Sequence, residues 1–360
     1  MRKTYVDNIR WTTVVLVVFF HVIYMFNGEQ TAGVIGPFSD CQPQDVYQYV
    51  VYPWFMFLLF LASGMTARFE LGVRSVREFI RNRTRKFLVP STVGLLVFGW
   101  ATGYYNMLIG HTFDELRHVP APLLFLIMCV SGTGPLWYIQ TLWIFSVLLI
   151  PIGKIEKDRL CRLCAKTNVV VLISLVFAVF GAAQILNTPI VVVYRFGIYG
   201  TAFFLGYFVF SHDEVMARLE KYWGLFAALG LISCVAFVVM YWGEPFTDHE
   251  VLDTFMCNVF AWFGSLGALS FMKKWGNFSN GFSKWMGKRS WGLYVFHYLP
   301  IAAVGWRLTN SSLDVPPALI YLAVAVSAFA GSFILFEIFR RVPVVRLCVL
   351  GIKGTGKEKK

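Results

Sequence analysis

The sequence predicts an all-α integral membrane protein with about ten transmembrane helices and both termini in the cytoplasm. The 360-residue chain is 57% hydrophobic and only 14% charged, and its mean hydropathy of +0.62 exceeds what an ordinary soluble domain needs. The net charge of +12 could suggest a nucleic-acid-binding protein, but a composition this apolar excludes that class. The positive charge therefore needs an explanation within a membrane protein.

Ten apolar stretches are long enough to cross the hydrocarbon core, which takes about 20 helical residues. Each stretch is bounded by polar, Gly or Pro residues. They lie at 11–27, 45–66, 87–107, 136–153, 168–187, 192–211, 223–242, 254–272, 290–308 and 317–339.

The distribution of Lys and Arg supports this count, because positive charge is retained on the cytoplasmic side of short loops. With the N-terminus inside, the predicted cytoplasmic segments hold 29 of the 32 Lys and Arg, and only Arg117, Arg195 and Arg307 fall outside. An error in the number of helices would scramble this alternation. We therefore predict one transmembrane domain at 1–340, followed by a basic cytoplasmic tail at 341–360.

The first apolar stretch carries Arg10 at its mouth and His21 in its middle. An ionisable residue inside a membrane span is a candidate functional residue, because burying it in hydrocarbon costs several kcal/mol unless it is compensated. At about 1.5 Å per helical residue, His21 lies roughly 16 Å deeper than Arg10, near the middle of a core about 30 Å thick. Arg10 could instead serve only as a positive-inside anchor.

A dense basic cluster precedes the third stretch, and two interpretations of it stay open. Arginine recognises phosphate through a planar fork of donors, so the cluster suits a phosphorylated cytosolic ligand. Such clusters also adhere to anionic lipid headgroups, at roughly 1 kcal/mol per charge. The cluster lies immediately before Pro90 and consists of Arg74, Arg77, Arg81, Arg83, Arg85 and Lys86.

A second membrane histidine, His297, lies in the ninth stretch, in KRSWGLYVFHYLPI. By the same helical rise it lies roughly 12 Å inside the membrane, so His21 and His297 could line one cavity. Tyr294 lies one turn earlier on the same face and could orient His297 or a substrate by a hydrogen bond. A membrane histidine can also be a packing residue satisfied by a backbone carbonyl.

The seven cysteines predict neither a disulfide framework nor a metal centre. Cys161 and Cys164 form a lone C-x-x-C in RLCRLCAK, without the second pair or nearby histidine in the sequence that a metal or redox site needs. We expect both to face the apolar side of an amphipathic turn at the membrane surface.

Several motifs together give the chain a family resemblance that covers nearly its whole length. Arg10 and His21 are separated by ten residues, WFMFLLFLASG ends in Ser-Gly, and RTRKFLVP offers R-x-x-R with Lys86 at the second arginine position. GPLWYIQTLW, WGLYVFHYLP and FEIFRRVP follow in order. In these features the chain resembles the acyltransferase-3 superfamily of ten-helix membrane O-acyltransferases, which includes glucan succinyltransferases and polysaccharide O-acetyltransferases. The lysine keeps the charge but loses the bidentate fork, so Arg85 could do part of its work.

The resemblance implies an enzyme that moves an acyl group from cytoplasmic acyl-CoA, as acetyl-CoA or succinyl-CoA, to a hydroxyl of a carbohydrate or glycolipid. It also implies membrane lipid as a partner, a bacterial cell-membrane location and, since no extracytoplasmic domain is fused, direct modification of the acceptor or a separate acyl-accepting protein. The expected catalytic residues are His21, Arg10 and His297. The cofactor phosphates would be held by Arg83, Arg85 and Lys86, and the substrate would contact Tyr294, Trp137 and Tyr138.

Two other classes of function stay open on the residues alone. A transporter or flippase would use the same polar cavity as a substrate path, but the inverted repeats or paired broken helices typical of that class are not found in the sequence. A non-catalytic relative would keep the fold without the chemistry, although the retained Arg10, His21 and Arg83 argue against it.

Overall fold

The computed structural model describes residues 3–29, 33–188 and 191–353, so residues 354–360 of the predicted tail lie outside it. Among the described residues all regular structure is helical, apart from an isolated β-bridge between Asn187 and Arg195. The first nine helices are α1 (Thr4–Tyr24), α2 (Val46–Leu71), α3 (Val76–Arg83), α4 (Trp100–Ile109), α5 (Thr112–Glu115), α6 (Ala121–Ser131), α7 (Trp137–Glu156), α8 (Arg159–Cys164) and α9 (Val169–Ala183). The others are α10 (Phe196–Phe208), α11 (Asp213–Lys221), α12 (Trp223–Tyr241), α13 (His249–Leu252), α14 (Phe255–Trp275), α15 (Gly281–Phe296), α16 (Tyr298–Thr309), α17 (Pro317–Phe339) and α18 (Pro343–Leu350).

Six helices in the described part of the chain are long and apolar enough to cross a membrane: α1, α2, α7, α12, α14 and α17. The regions around α4, α6, α9 and α10 are apolar but shorter. The all-α membrane class is therefore confirmed, whereas the count of ten spans and the side of each terminus stay predictions. The apolar α6 lies in a segment that the sequence analysis did not assign to a span.

The described residues form two compact units. The first takes its residues from Met1–Leu16, Val46–Ile80 and Ile144–Lys288, and the second from Val17–Asp45, Arg81–Trp143 and Arg289–Lys360. Each unit draws on distant parts of the sequence, so neither corresponds to a contiguous domain.

Close helix crossings in the first unit depend on glycine. A Cβ atom on Gly64 of α2 would collide with the backbone carbonyl of Phe203 in α10, and one on Gly206 would collide with the carbonyl of Leu61. Small residues at such crossings let backbones approach closely, which is how membrane helices gain packing energy without a hydrophobic driving force.

In the second unit, the segment between α3 and α4 departs from regular α-helix around Pro90. Residues Thr84–Leu88 and Leu95–Gly99 form two short π-helical turns. Proline has no N–H to donate to the carbonyl of Lys86, so the regular ladder cannot continue through this point. Trp143 fixes the first turn by donating from Nε1 to Thr84 Oγ1 at 3.0 Å.

The predicted tail contains a packed helix. Val349 and Leu350 of α18 are buried against Phe296 and Phe336. Val349 and Leu350, at the end of this helix, therefore belong to the hydrophobic core of the second unit.

Candidate active site

The structure brings His21 of α1 and His297 together within the second unit. His297 Nε2 lies 3.3 Å from His21 Nδ1, and the two ring centroids are 5.0 Å apart. His297 is fully buried, whereas His21 keeps partial exposure. Of the two histidines, His21 is therefore the one with surface left exposed.

The helix that was predicted at 290–308 is divided at His297, between α15 and α16, although His297 keeps helical backbone angles and its N–H still bonds to the Leu293 carbonyl at 3.1 Å. Pro300 has no N–H to bond to the carbonyl of Phe296, which weakens the ladder at this turn. His297 Nδ1 lies 2.8 Å from the carbonyl oxygen of Tyr294 and 3.1 Å from that of Leu293. The break thus coincides with a side chain that is anchored to its own preceding turn.

The hydrogen-bond partners assign the tautomers of both neutral rings. Carbonyl oxygens only accept, so His297 Nδ1 carries the proton and His297 Nε2 is left as an acceptor. His21 Nδ1 lies 2.8 Å from the carbonyl of Val17, so it also carries a proton and can share it with His297 Nε2. The lone pair of His21 is therefore on Nε2, which has no hydrogen-bond partner among the described residues.

Tyr298 also lies beside His21 and was not singled out from the sequence. Its ring centroid lies 5.4 Å from that of His21 in an edge-on arrangement. Tyr298 follows His297 directly in the sequence. An aromatic residue next to the membrane histidine is the feature that could have identified it as part of the site.

An aromatic ladder connects the basic cluster with the imidazole pair along one face of α15. Lys86 Nζ lies 5.4 Å from the ring centroid of Trp291, and Trp291 stacks on Tyr294 at 6.1 Å. The Tyr294 ring is in turn 6.2 Å from that of His297. Spacing of three residues places these rings on one helical face. Trp291 is the second residue of this site that the sequence analysis missed.

A hydrogen bond from the Tyr294 hydroxyl to His297 or to a substrate was predicted from the sequence. The hydroxyl donates instead to the carbonyl of Pro135, and the backbone carbonyl of Tyr294 holds the His297 ring. Tyr138 packs edge-on against Tyr294 with centroids 5.7 Å apart, and Trp137 contacts Tyr138 at 6.4 Å. Tyr138 therefore reaches the site by its contact with Tyr294, and Trp137 lies one contact further away.

The three predicted phosphate-binding residues differ in accessibility. Lys86 is exposed and Arg85 is partly exposed, whereas Arg83 is only 4% exposed and lies over the Phe87 ring. Arg85 donates to two neutral acceptors, the Gly351 carbonyl and Asn82 Oδ1, each at 3.2 Å. Arg85 and Lys86 can meet a phosphate from solution, and Arg83 lies beneath them.

A small cavity lies in the second unit, lined by neither the basic cluster nor the two histidines. It has a volume of about 20 Å³, and its lining includes Pro90, Gly94, Val295, Tyr298 and Val349. A space of this size admits about one water molecule, so it does not hold an extended ligand arm.

Arg10 is not placed in this cluster. It belongs to the part of α1 in the first unit and is partly exposed, so its role stays a prediction.

The expectation that no histidine lies near the C-x-x-C is wrong. His212 follows α10 and places Nε2 3.3 Å from Cys161 Sγ in the first unit, a proximity that sequence spacing cannot reveal. Burial raises the pKa of the Cys161 thiol, which disfavours the reactive thiolate. No group of three or more metal-ligating side chains occurs within residues 3–29, 33–188 and 191–353.

The apolar helices and the paired imidazoles define a multi-span membrane protein with a candidate acid–base centre. The chain belongs to the acyltransferase-3 family, whose model, described as an acyltransferase domain, matches residues 3–337. No curated protein and no solved structure shows significant similarity to it. The family assignment confirms the resemblance noted from the motifs and indicates a membrane acyltransferase.

Proposed function

We propose that the protein transfers an acetyl or succinyl group from cytoplasmic acyl-CoA to a hydroxyl of a carbohydrate or glycolipid acceptor. The observation that carries this proposal is the pairing of His21 with His297, which leaves His21 Nε2 available as a base. Family membership supports the acyl-transfer chemistry.

In the proposed reaction, His21 Nε2 takes the proton of the acceptor hydroxyl while the hydroxyl oxygen attacks the thioester carbonyl. The new C–O bond forms the ester, the C–S bond breaks, and the imidazolium returns the proton to the sulfur to give free CoA. General-base catalysis of this kind contributes about 10² to 10⁴ in rate. The Val17 carbonyl and His297 Nε2, both acceptors of the His21 Nδ1–H, stabilise the imidazolium.

The accessible cations Arg85 and Lys86 support a phosphate-bearing donor. Arg85 hydrogen-bonds only to neutral acceptors among the described residues, so its charge is available for charge-assisted bonds to phosphate oxygens. The CoA arm would enter along the aromatic ladder, past Trp291 and Tyr294, toward His21. Arg83, buried beneath this cluster, would add positive potential at the start of that path.

The proposed topology has ten spans with both termini in the cytoplasm of a bacterial cell. The distribution of Lys and Arg along the chain supports it. A donor that binds from the cytoplasm and an acceptor at or across the membrane fit this orientation. A separate extracytoplasmic protein could relay the acyl group to its final acceptor.

The experiment follows free CoA by mass spectrometry after purified protein is mixed with acetyl-CoA or succinyl-CoA and a carbohydrate and glycolipid extract. Donor binding is measured in the same samples. Wild type should release CoA with one donor, His21→Ala should bind that donor without releasing CoA, and Arg85→Gln should bind it more weakly. Saturable uptake of a polar solute into vesicles without CoA release would favour a transporter and overturn the proposal.

A further inference from the structure

An apolar groove lies in the first unit and contains none of the residues of the candidate active site. The groove, of about 410 Å³, runs between α2, α12, α14 and residues 9–16 of α1. All four helices are candidate membrane spans, so the groove lies within the depth of the bilayer. It is open along one side, and its surface is almost entirely apolar.

Small residues on two facing helices make this recess. Ala227 and Gly230 of α12 and Gly264, Gly267 and Ala268 of α14 line it. A Cβ on Gly264 would come within 3.0 Å of Trp54 Cγ, and one on Gly230 within 3.0 Å of the Phe263 carbonyl oxygen. The two glycines are therefore part of the packing.

Thr12 is a hydroxyl-bearing residue of the groove. Its hydrogen bond is made within the protein, so it requires no polar ligand. Thr12 lines the groove, and its Oγ1 donates to the Asn8 carbonyl at 2.7 Å. A hydrocarbon chain suits these walls, because it satisfies their shape by van der Waals packing alone.

A cation held by two indole rings lies at one end of the groove. Lys274 Nζ is 4.7 Å from the ring centroids of both Trp223 and Trp275. Lys274 lies one helical turn beyond the groove residue Phe271, and Trp223 lies one turn before the groove residue Ala227. The cation therefore lies about one turn beyond groove residues of both helices.

Lys274 has no carboxylate in ion-pair contact among the described residues, in contrast to its neighbour. Lys273 pairs with Glu220 at 3.4 Å and lies over the Tyr5 ring. Tryptophan and lysine together are typical of the headgroup level of a membrane. The charge of Lys274 is thus available to an anion at that level.

We infer that the groove binds one acyl chain of an anionic glycerophospholipid, with the lipid phosphate at Lys274. The small residues provide the slot for the chain, and the Trp223–Lys274–Trp275 arrangement fixes the cation that meets the phosphate. An attraction of this kind favours anionic over zwitterionic lipids. The inference is independent of the acyl-transfer proposal, since it involves no residue of the imidazole site.

The experiment titrates delipidated protein in detergent with dioleoyl phosphatidylglycerol or dioleoyl phosphatidylcholine and counts bound lipids by native mass spectrometry. Wild type should bind one phosphatidylglycerol about tenfold more tightly than phosphatidylcholine, as expected from one well-placed charge. Ala268→Phe fills the groove and should lose about tenfold affinity for both lipids. Lys274→Gln should lose only the preference for phosphatidylglycerol.

Val239→Phe is the matched control, because Val239 is an exposed residue of α12 that does not line the groove. It should bind both lipids as wild type does. If Ala268→Phe does not fold, Ala227→Phe fills the groove from the opposite helix and tests the same point. Unchanged affinity in the groove-filling variants, or an equal loss in Val239→Phe, would show only nonspecific surrounding lipid and overturn the inference.

Discussion

Two clusters of ionisable residues, one in each unit, show how similar side chains can serve different purposes. In the second unit, His21 Nδ1 contacts His297 Nε2, and His21 Nε2 makes no hydrogen bond to the described residues. In the first unit, Arg195 is 3% exposed and donates to Asp253 Oδ1 at 2.9 Å and to the Leu252 carbonyl at 3.0 Å.

The cluster in the first unit uses its groups in structural contacts. Both ring nitrogens of His249 face acceptors, Asp253 Oδ2 at 3.2 Å and the Thr188 carbonyl at 3.3 Å. The Asp253 carboxylate lies between His249 and Arg195. The comparison teaches that burial of charge alone does not mark a reactive site, and that an accessible atom left over after all anchoring contacts is the better indicator.

The largest effect is expected when both imidazoles are removed. His21→Ala should lower kcat by about 10² to 10⁴, and the double variant with His297→Ala should cost little more, because residues that act as one unit are not additive. A double-mutant cycle on acyl-transfer rates measures this. Additive losses would mean that the two rings act separately and would break the contrast between the clusters.

A substitution in the cluster of the first unit should lower the stability of the protein and leave the reaction rate unchanged. Arg195→Leu removes the partner of Asp253 in a mostly buried pair, where such a loss costs about 3 kcal/mol. We expect a lower Tm in detergent with normal activity per folded molecule. A variant with unchanged Tm and little activity would show that Arg195 belongs to the chemistry.

His297→Gln sharpens the role of the second ring. The glutamine oxygen can still accept the His21 Nδ1–H, so this variant should keep about tenfold more activity than His297→Ala, a difference of one hydrogen bond to a charged group. Both variants should bind the donor as wild type does. Equal loss of kcat in the two variants would assign His297 more than a positioning role.

The smallest effect is expected at the cytoplasmic cations. Lys86→Gln should raise the KM for acyl-CoA by about tenfold or less, as expected for one charge-assisted contact, and the effect should shrink at high salt. Lys86→Arg should keep a normal KM, and Lys284→Gln, at an exposed lysine outside the cluster, is the control. A fall in kcat with unchanged KM in Lys86→Gln would contradict a donor-binding role.

Much of the fold could be predicted because apolar stretches and charged loops follow directly from the cost of placing polar groups in lipid. Residue counting also predicted that His21 and His297 lie at similar depths, which suggested that they could line one cavity.

Other features could not be predicted, because they depend on contacts between residues far apart in the sequence. The Tyr294 hydroxyl bonds to Pro135, and His212 meets Cys161. The proton on His21 Nδ1 is shared with His297, which is 276 positions away. Sequence spacing names the residues that carry chemistry, but the partner of each atom requires the fold.

The most direct test of the central claim measures donor binding and CoA release together for His21→Ala. If His21 Nε2 is the base, the variant will fold and bind acyl-CoA as wild type does while its turnover falls by about 10² or more. Turnover within a few-fold of wild type, in protein of normal stability, would contradict the assignment of His21 as the base.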